Sequence, residues 1–123
     1  MRQFDQPGRS PVYAQNGAVA TSHPLGTATA LTVLRQGGNA VDAAIAASAT
    51  LAVVEPHMTG IGGDCFALVA PKGSGDVVAM NGSGRAPAKA ELSWFQEKGI
   101  TELGLSGDPH TVTVPGAVGA WSA

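Results

Sequence analysis

Gly37-Gly38-Asn39-Ala40-Val41-Asp42-Ala43-Ala44 stops one helix and starts the next, and the rest of the architecture follows from that junction. The glycine pair supplies a left-handed stop without a Cβ penalty. Asn39 is a favoured cap, and Asp42 stands where an acidic partner closes a capping box. Upstream, Ser22-His23-Pro24 opens the first helix, with Ser22 read as the cap and Pro24 tolerated in the first turn. The helix runs to about Gln36, with Leu25, Ala28, Leu31 and Leu34 on one stripe and Arg35 suiting the macrodipole in the last turn. Downstream, Ala43, Ala44, Ala46, Ala47, Ala49 and Ala52 put small apolar groups on nearly every face of the second helix. That pattern predicts a helix buried all round, packed on both sides by layers of a larger body. Glu55-Pro56 ends it, because the residue before proline is pushed out of the helical region.

Beyond Pro56 the period changes. Gly60-Ile61-Gly62-Gly63 is a turn-rich segment leading into Cys65 to Ala70, a short apolar run that reads as a strand buried on both faces. Pro71 to Asp76 is a hairpin loop, and Val77 to Asn81 is the returning antiparallel strand. Gly82-Ser83-Gly84-Arg85-Ala86-Pro87 follows as a loop. A short helix is predicted over Trp94 to Lys98, a turn over Ser106 to Pro109, and a further strand over Thr111 to Val114. Val114-Pro115-Gly116-Ala117 then feeds a last helix in which the sequence stops, a poor place for a domain to end. The fold class is α+β, with two early helices packed on an antiparallel sheet.

Composition narrows the function classes. Of 123 residues, 44% are hydrophobic and only 13% charged, well below the usual share of roughly 25%. The chain is therefore globular, and much of its outer surface is meant to be covered. A net charge of −2 offers no basic patch for phosphates, so nucleic acid is not an expected partner. Cys65 is the single cysteine and cannot form an internal disulfide; it reads as a small buried apolar residue. No Cys-x-x-Cys or His-x-Glu pattern suggests a metal site. Met1 to Gln15 lacks the apolar core of a secretory leader, and the run from Ala40 to Val54, interrupted by Asp42, is too short for a membrane span. The expected location is cytoplasmic, away from membranes.

Ser22-His23-Pro24-Leu25, the Gly37 to Ala44 block, Val54-Glu55-Pro56 and Gly60-Ile61-Gly62-Gly63, with Asn81 to Pro87 and Val114-Pro115-Gly116 in the same order and spacing, closely resemble the γ-glutamyltranspeptidase (glutathione hydrolase) family. The resemblance covers the chain from Gly17 onward. It implies an N-terminal-nucleophile hydrolase with an αββα sandwich, made as a precursor that cuts itself into two subunits, residues 1–123 falling at the start of the large one. It also implies that the nucleophile is a threonine at the start of the small subunit, outside this chain, so that no catalytic residue is expected here. The implied partners are a γ-glutamyl small molecule and the small subunit or remainder of the same precursor, and no cofactor is implied. In two places the sequence departs from the better-known pattern: Ala86 follows Arg85 where an acidic residue is usual, and Asp64-Cys65 follows the glycines where a small residue is common. Both bear on substrate choice more than on fold.

Arg85 is the candidate substrate-binding residue. Its planar fork of donors matches a carboxylate bidentately and would hold the α-carboxylate of a glutamyl group; its plain alternative is a solvated arginine in a glycine-rich loop. Gly60 to Gly63 precedes a strand instead of opening a helix, the wrong context for a phosphate cradle, and is read as close backbone packing. His23, His57 and His110 stand too far apart in sequence to suggest shared ligation. Glu55 and Asp64 flank the glycine turn as a conceivable carboxylate pair, without the aromatics that a sugar site would bring. Two further readings stay open: a β-lactam acylase-like enzyme with the same chemistry and a different acyl pocket, and a non-catalytic remnant or interaction module.

Overall fold

The computed structural model describes residues 11–104 and 107–123. The leader reading of Met1 to Gln15 falls mostly outside them, as does Ser106 of the predicted turn. Helix α1 spans Pro24–Arg35 and α2 Ala40–Val54; strands β1 (Cys65–Val69) and β2 (Val78–Gly82) follow, then α3 (Leu92–Glu97), a 3-10 turn (Pro109–Thr111) and α4 (Ala117–Trp121).

The α1/α2 junction forms as its sequence requires. Gly37 sits at φ +93°, which only glycine adopts freely. Asn39 Oδ1 accepts from the Val41 and Asp42 amides at 2.7 and 3.0 Å, and the Asp42 carboxylate accepts from the Asn39 amide at 2.9 Å. At the start of α1 the cap is His23, not Ser22: His23 Nδ1 accepts the Leu25 N–H at 3.2 Å. Ser22 instead donates its hydroxyl to the Glu55 carboxylate at the end of α2, tying the outer ends of the two helices together.

The helices meet through their smallest residues. Gly26 and Ala30 of α1 and Ala43 and Ala47 of α2 are buried, with Val19, Val33 and Leu34 packed against that centre. A Cβ on Gly26 would lie 3.0 Å from Leu51 Cδ2 and 3.2 Å from Thr21 Oγ1, tighter than an ordinary contact, so the helices meet closely at this point. This corrects the expected stripe. Leu25 is 53% exposed because a leucine at the contact would hold the helices apart. On α2, Ala44, Ala49 and Val53 are exposed, so among the described residues the helix is covered along one side, by α1.

β1 and β2 pair antiparallel, Cys65 opposite Gly82 and Val69 opposite Val78, around a loop in which Gly73 takes φ +81°. The sheet is not buried on both faces. Cys65, Ala67 and Val69 are half-buried, whereas Phe66 is 65% and Leu68 77% exposed. Nor do the two early helices pack closely on it. α2 looks at the sheet across an open cavity of about 760 Å³, with Ala44 and Ile45 on one wall and Ala67 and Met80 on the other. Alanines pack well against a helix but do not reach across to a sheet.

The strand expected over Thr111 to Val114 is absent. Asp108 caps the 3-10 turn with Pro109 in its first position, a local signal that outweighs the β-branched residues after it. No helix among the described residues is long and apolar enough to cross a membrane.

Candidate functional site

The loop leaving β2 is bent by its own side chains and then held by backbone on both sides. Asn81 Oδ1 accepts from the Ser83 amide at 3.0 Å and from the Ser83 hydroxyl at 2.6 Å, a local turn of the kind asparagine favours. Two residues later the Arg85 carbonyl accepts the Val114 N–H at 2.9 Å. On the other side the Gly63 carbonyl accepts from Gly116 and Ala117 at 3.0 and 2.9 Å. Three glycine-bearing segments far apart in sequence therefore meet at one end of the hairpin: the Gly60 to Gly63 turn, the Gly82 to Gly84 loop and the Val114 to Gly116 segment.

No side chain fits within that junction. A Cβ on Gly84 would fall on the Val114 carbonyl oxygen and the Thr113 side chain, and one on Gly116 would lie 2.8 Å from the Gly84 nitrogen. A Cβ on Gly82 would lie 2.7 Å from the Cys65 carbonyl oxygen and also against Ala120 of α4. The Gly60 to Gly63 segment joins the junction through the Gly63 carbonyl, but a Cβ on Gly60 or Gly62 would meet nothing within 4 Å, so the close backbone packing expected of these four residues is not found there. Gly84→Ala is expected to destabilise the protein by about 2 kcal/mol or more, since backbone atoms cannot step aside as a flexible side chain can. A thermal midpoint equal to that of the parent protein would contradict this.

Arg85 projects from the pinned loop. It is exposed and forms no ion pair among the described residues, where the pair found is His110 with Asp108. A fixed backbone beneath a guanidinium unclaimed by the described carboxylates is what binding an external carboxylate requires.

The other candidates are dispersed. Glu55 is engaged by Ser22 at the helix pair, and Asp64 lies exposed just before β1. His23 is a helix cap, His57 lies exposed after α2, and His110 sits in the 3-10 turn. Cys65 is only half-buried, at the first position of β1. Thr21 donates to the His23 carbonyl at 2.8 Å and lies 2.7 Å from the Thr27 hydroxyl, with no base bonded to it.

One cluster was not anticipated from sequence. The His110 ring lies 5.4 Å from Trp94 and 5.6 Å from Phe95, centroid to centroid, and its Nδ1–H donates to Asp108 Oδ1 at 2.7 Å. The signal was present in Asp108-Pro109-His110, a cap followed by a first-turn proline, but nothing local ties it to the aromatic pair Trp94 and Phe95 well upstream.

Comparison with known proteins gives a consistent picture. The Gamma-glutamyltranspeptidase family model matches residues 26–123. The glutathione hydrolase-like YwrD proenzyme of Bacillus subtilis is 43% identical over 105 residues, 85% of this chain and 20% of that protein. The oxamate amidohydrolase proenzyme of Klebsiella pneumoniae is 40% identical over 106 residues, 86% of this chain and again 20% of the relative. The chain thus spans about a fifth of the length of these relatives. Among solved structures, Helicobacter pylori gamma-glutamyltranspeptidase superposes with a TM-score of 0.78 at 36% identity, covering 91% of this chain and 32% of that one. Cephalosporin acylase from Bacillus halodurans gives a TM-score of 0.75 at 40% identity, covering 97% and 23%.

Proposed function

The chain belongs to the γ-glutamyltranspeptidase family and forms part of an N-terminal-nucleophile αββα sandwich; on that premise we propose that the complete protein hydrolyses or transfers γ-glutamyl amides, with Arg85 holding the α-carboxylate of the glutamyl group. The observation that carries this reading is the exposed Arg85 on a loop fixed by the Val114-to-Arg85 hydrogen bond and the glycine junction. The nucleophile is a threonine freed at the start of a second subunit by self-cleavage, in keeping with the proenzyme names of the relatives. Its hydroxyl attacks the γ-amide carbonyl and its own α-amino group takes the proton. The acyl group then passes to water or an acceptor amine. This chain supplies the scaffold beside the second subunit and the carboxylate clamp.

A second reading is favoured by Ala86, which follows Arg85 where an acidic partner is usual, and by the acylase and oxamate amidohydrolase among the similar proteins. Arg85 would then hold the carboxylate of a glutaryl or oxamate group.

A substrate panel on the complete protein separates the two. The γ-glutamyl anilide is expected to exceed the 4-aminobutyryl anilide, which lacks the α-carboxylate, by about 30-fold or more in kcat/KM, because the charge-assisted pair with Arg85 would be lost. It should also exceed the glutaryl anilide, which lacks only the α-amine. Preference for the glutaryl compound, or turnover of oxamate alone, would replace the first reading with the second.

A further inference from the structure

The Arg85 loop is held from behind by the segment that ends in Val114, and that segment has an anchor of its own. The Asp108 carboxylate accepts the Gly104 amide at 2.9 Å through Oδ2, and the His110 amide at 2.9 Å and His110 Nδ1–H at 2.7 Å through Oδ1. The Thr111 hydroxyl donates to the Asp108 carbonyl at 2.7 Å. The Gly104 amide, followed by the His110 amide and ring, keeps the Asp108 carboxyl below the ordinary carboxylate range, so it is the ionised acceptor that holds the turn.

The imidazole fixed in this way is set against Trp94 and Phe95, which meet each other edge to face with centroids 5.1 Å apart. Pro87 and Lys89, just beyond Arg85, wall a small cleft of about 370 Å³ together with Trp94, Phe95, His110 and Val112. The two segments therefore face one another at two points. One is this cleft, and the other is the Val114 hydrogen bond with Gly84 packed beneath it.

Resting on the reading of Arg85 as the carboxylate clamp, we propose that Asp108 and His110 are positioning residues for substrate binding. Their bond sets the His110 ring against α3, which fixes the path of residues 112–114, which in turn fixes the Arg85 backbone. Neither residue is placed at the reacting atoms, so the device acts on KM and leaves kcat alone.

The test uses the complete protein with a γ-glutamyl anilide and amide exchange at Val114. His110→Leu, which removes the donor, is expected to raise KM about tenfold with kcat within about twofold, and to speed Val114 exchange. His110→Asn, whose amide N–H can take the place of Nδ1–H, should keep KM within about threefold. If His110→Leu does not accumulate as folded protein, Asp108→Asn carries the same test, removing the charge while keeping the shape, and KM should rise about fivefold. Unchanged KM and unchanged Val114 exchange in these variants, with Arg85→Lys still raising KM, would overturn the positioning role and leave the clamp standing. Equal impairment of His110→Leu and His110→Asn would also overturn it. If Arg85→Lys itself leaves KM unchanged, the clamp fails and the inference falls with it.

Discussion

Residues 1–123 by themselves will show no turnover of a γ-glutamyl anilide. The chemistry needs a hydroxyl nucleophile beside a base and an oxyanion site, and removing the nucleophile from such a unit costs on the order of a million-fold. Thr29, Thr32 and Thr50 donate their hydroxyls to carbonyl or hydroxyl oxygens within the helix pair. Ser22 and Ser74 each donate to a carboxylate, those of Glu55 and Asp76, but neither has a base and an oxyanion site assembled beside it. Cys65 lies at the head of β1, its carbonyl close under Gly82. The assay compares the purified chain alone with the chain mixed with a separately made remainder beginning at the family's threonine. Turnover by the chain alone that disappears in Cys65→Ala or Ser22→Ala would overturn the assignment, whereas turnover confined to the mixture is the expected result. The mixture matters because the described core consists of alanines, with Phe66 and Leu68 left facing outward.

In the complete protein, Arg85→Ala is expected to lower kcat/KM for a γ-glutamyl substrate by about 30- to 1000-fold, equivalent to about 2 to 4 kcal/mol of transition-state binding. Arg85→Lys keeps a positive charge but loses the planar fork and should fall between Ala and the parent. The loss should be selective: a 4-aminobutyryl anilide, with no α-carboxylate to hold, should react equally with parent and variant. Arg85 is exposed and its side chain supports no packing, so the variants should fold as the parent does. An unchanged kcat/KM in Arg85→Ala sinks the role.

Much of this was legible in the sequence because its signals are short-range. The Gly37 stop, the Asn39 cap with its Asp42 partner, the Glu55-Pro56 break and the hairpin all lie within a few residues of the backbone groups they control. The strand shifted only at its margins, from Val77 to Asn81 in the expectation to Val78–Gly82 in the structure. Arg85 was proposed through the order of the motifs around it, since nothing in its own loop distinguishes a binding arginine from a solvated one.

What required the tertiary structure was every question of which side faces what. Hydrophobic periodicity pointed to Leu25, Ala28, Leu31 and Leu34 as the inner face of α1, but close helix approach selects for small size, and Gly26 and Ala30 took the contact, with Leu34 packed beside it and Leu25 and Ala28 exposed. Ser22 was the better cap by type, yet it serves the Glu55 carboxylate more than thirty positions away and leaves the cap to His23. The glycines at 82, 84 and 116 each read as an ordinary turn residue when taken singly. Only the fold brings them within backbone contact of one another, and so explains why none of them can carry a side chain there. Sequence alone therefore determined the family and the order of elements from α1 through α3, because caps, breaks and motif spacing are written in neighbouring residues. Tertiary structure decided the helix contact, the rigidity beneath Arg85 and its Asp108–His110 anchor, because those depend on surfaces that meet only after the chain has folded.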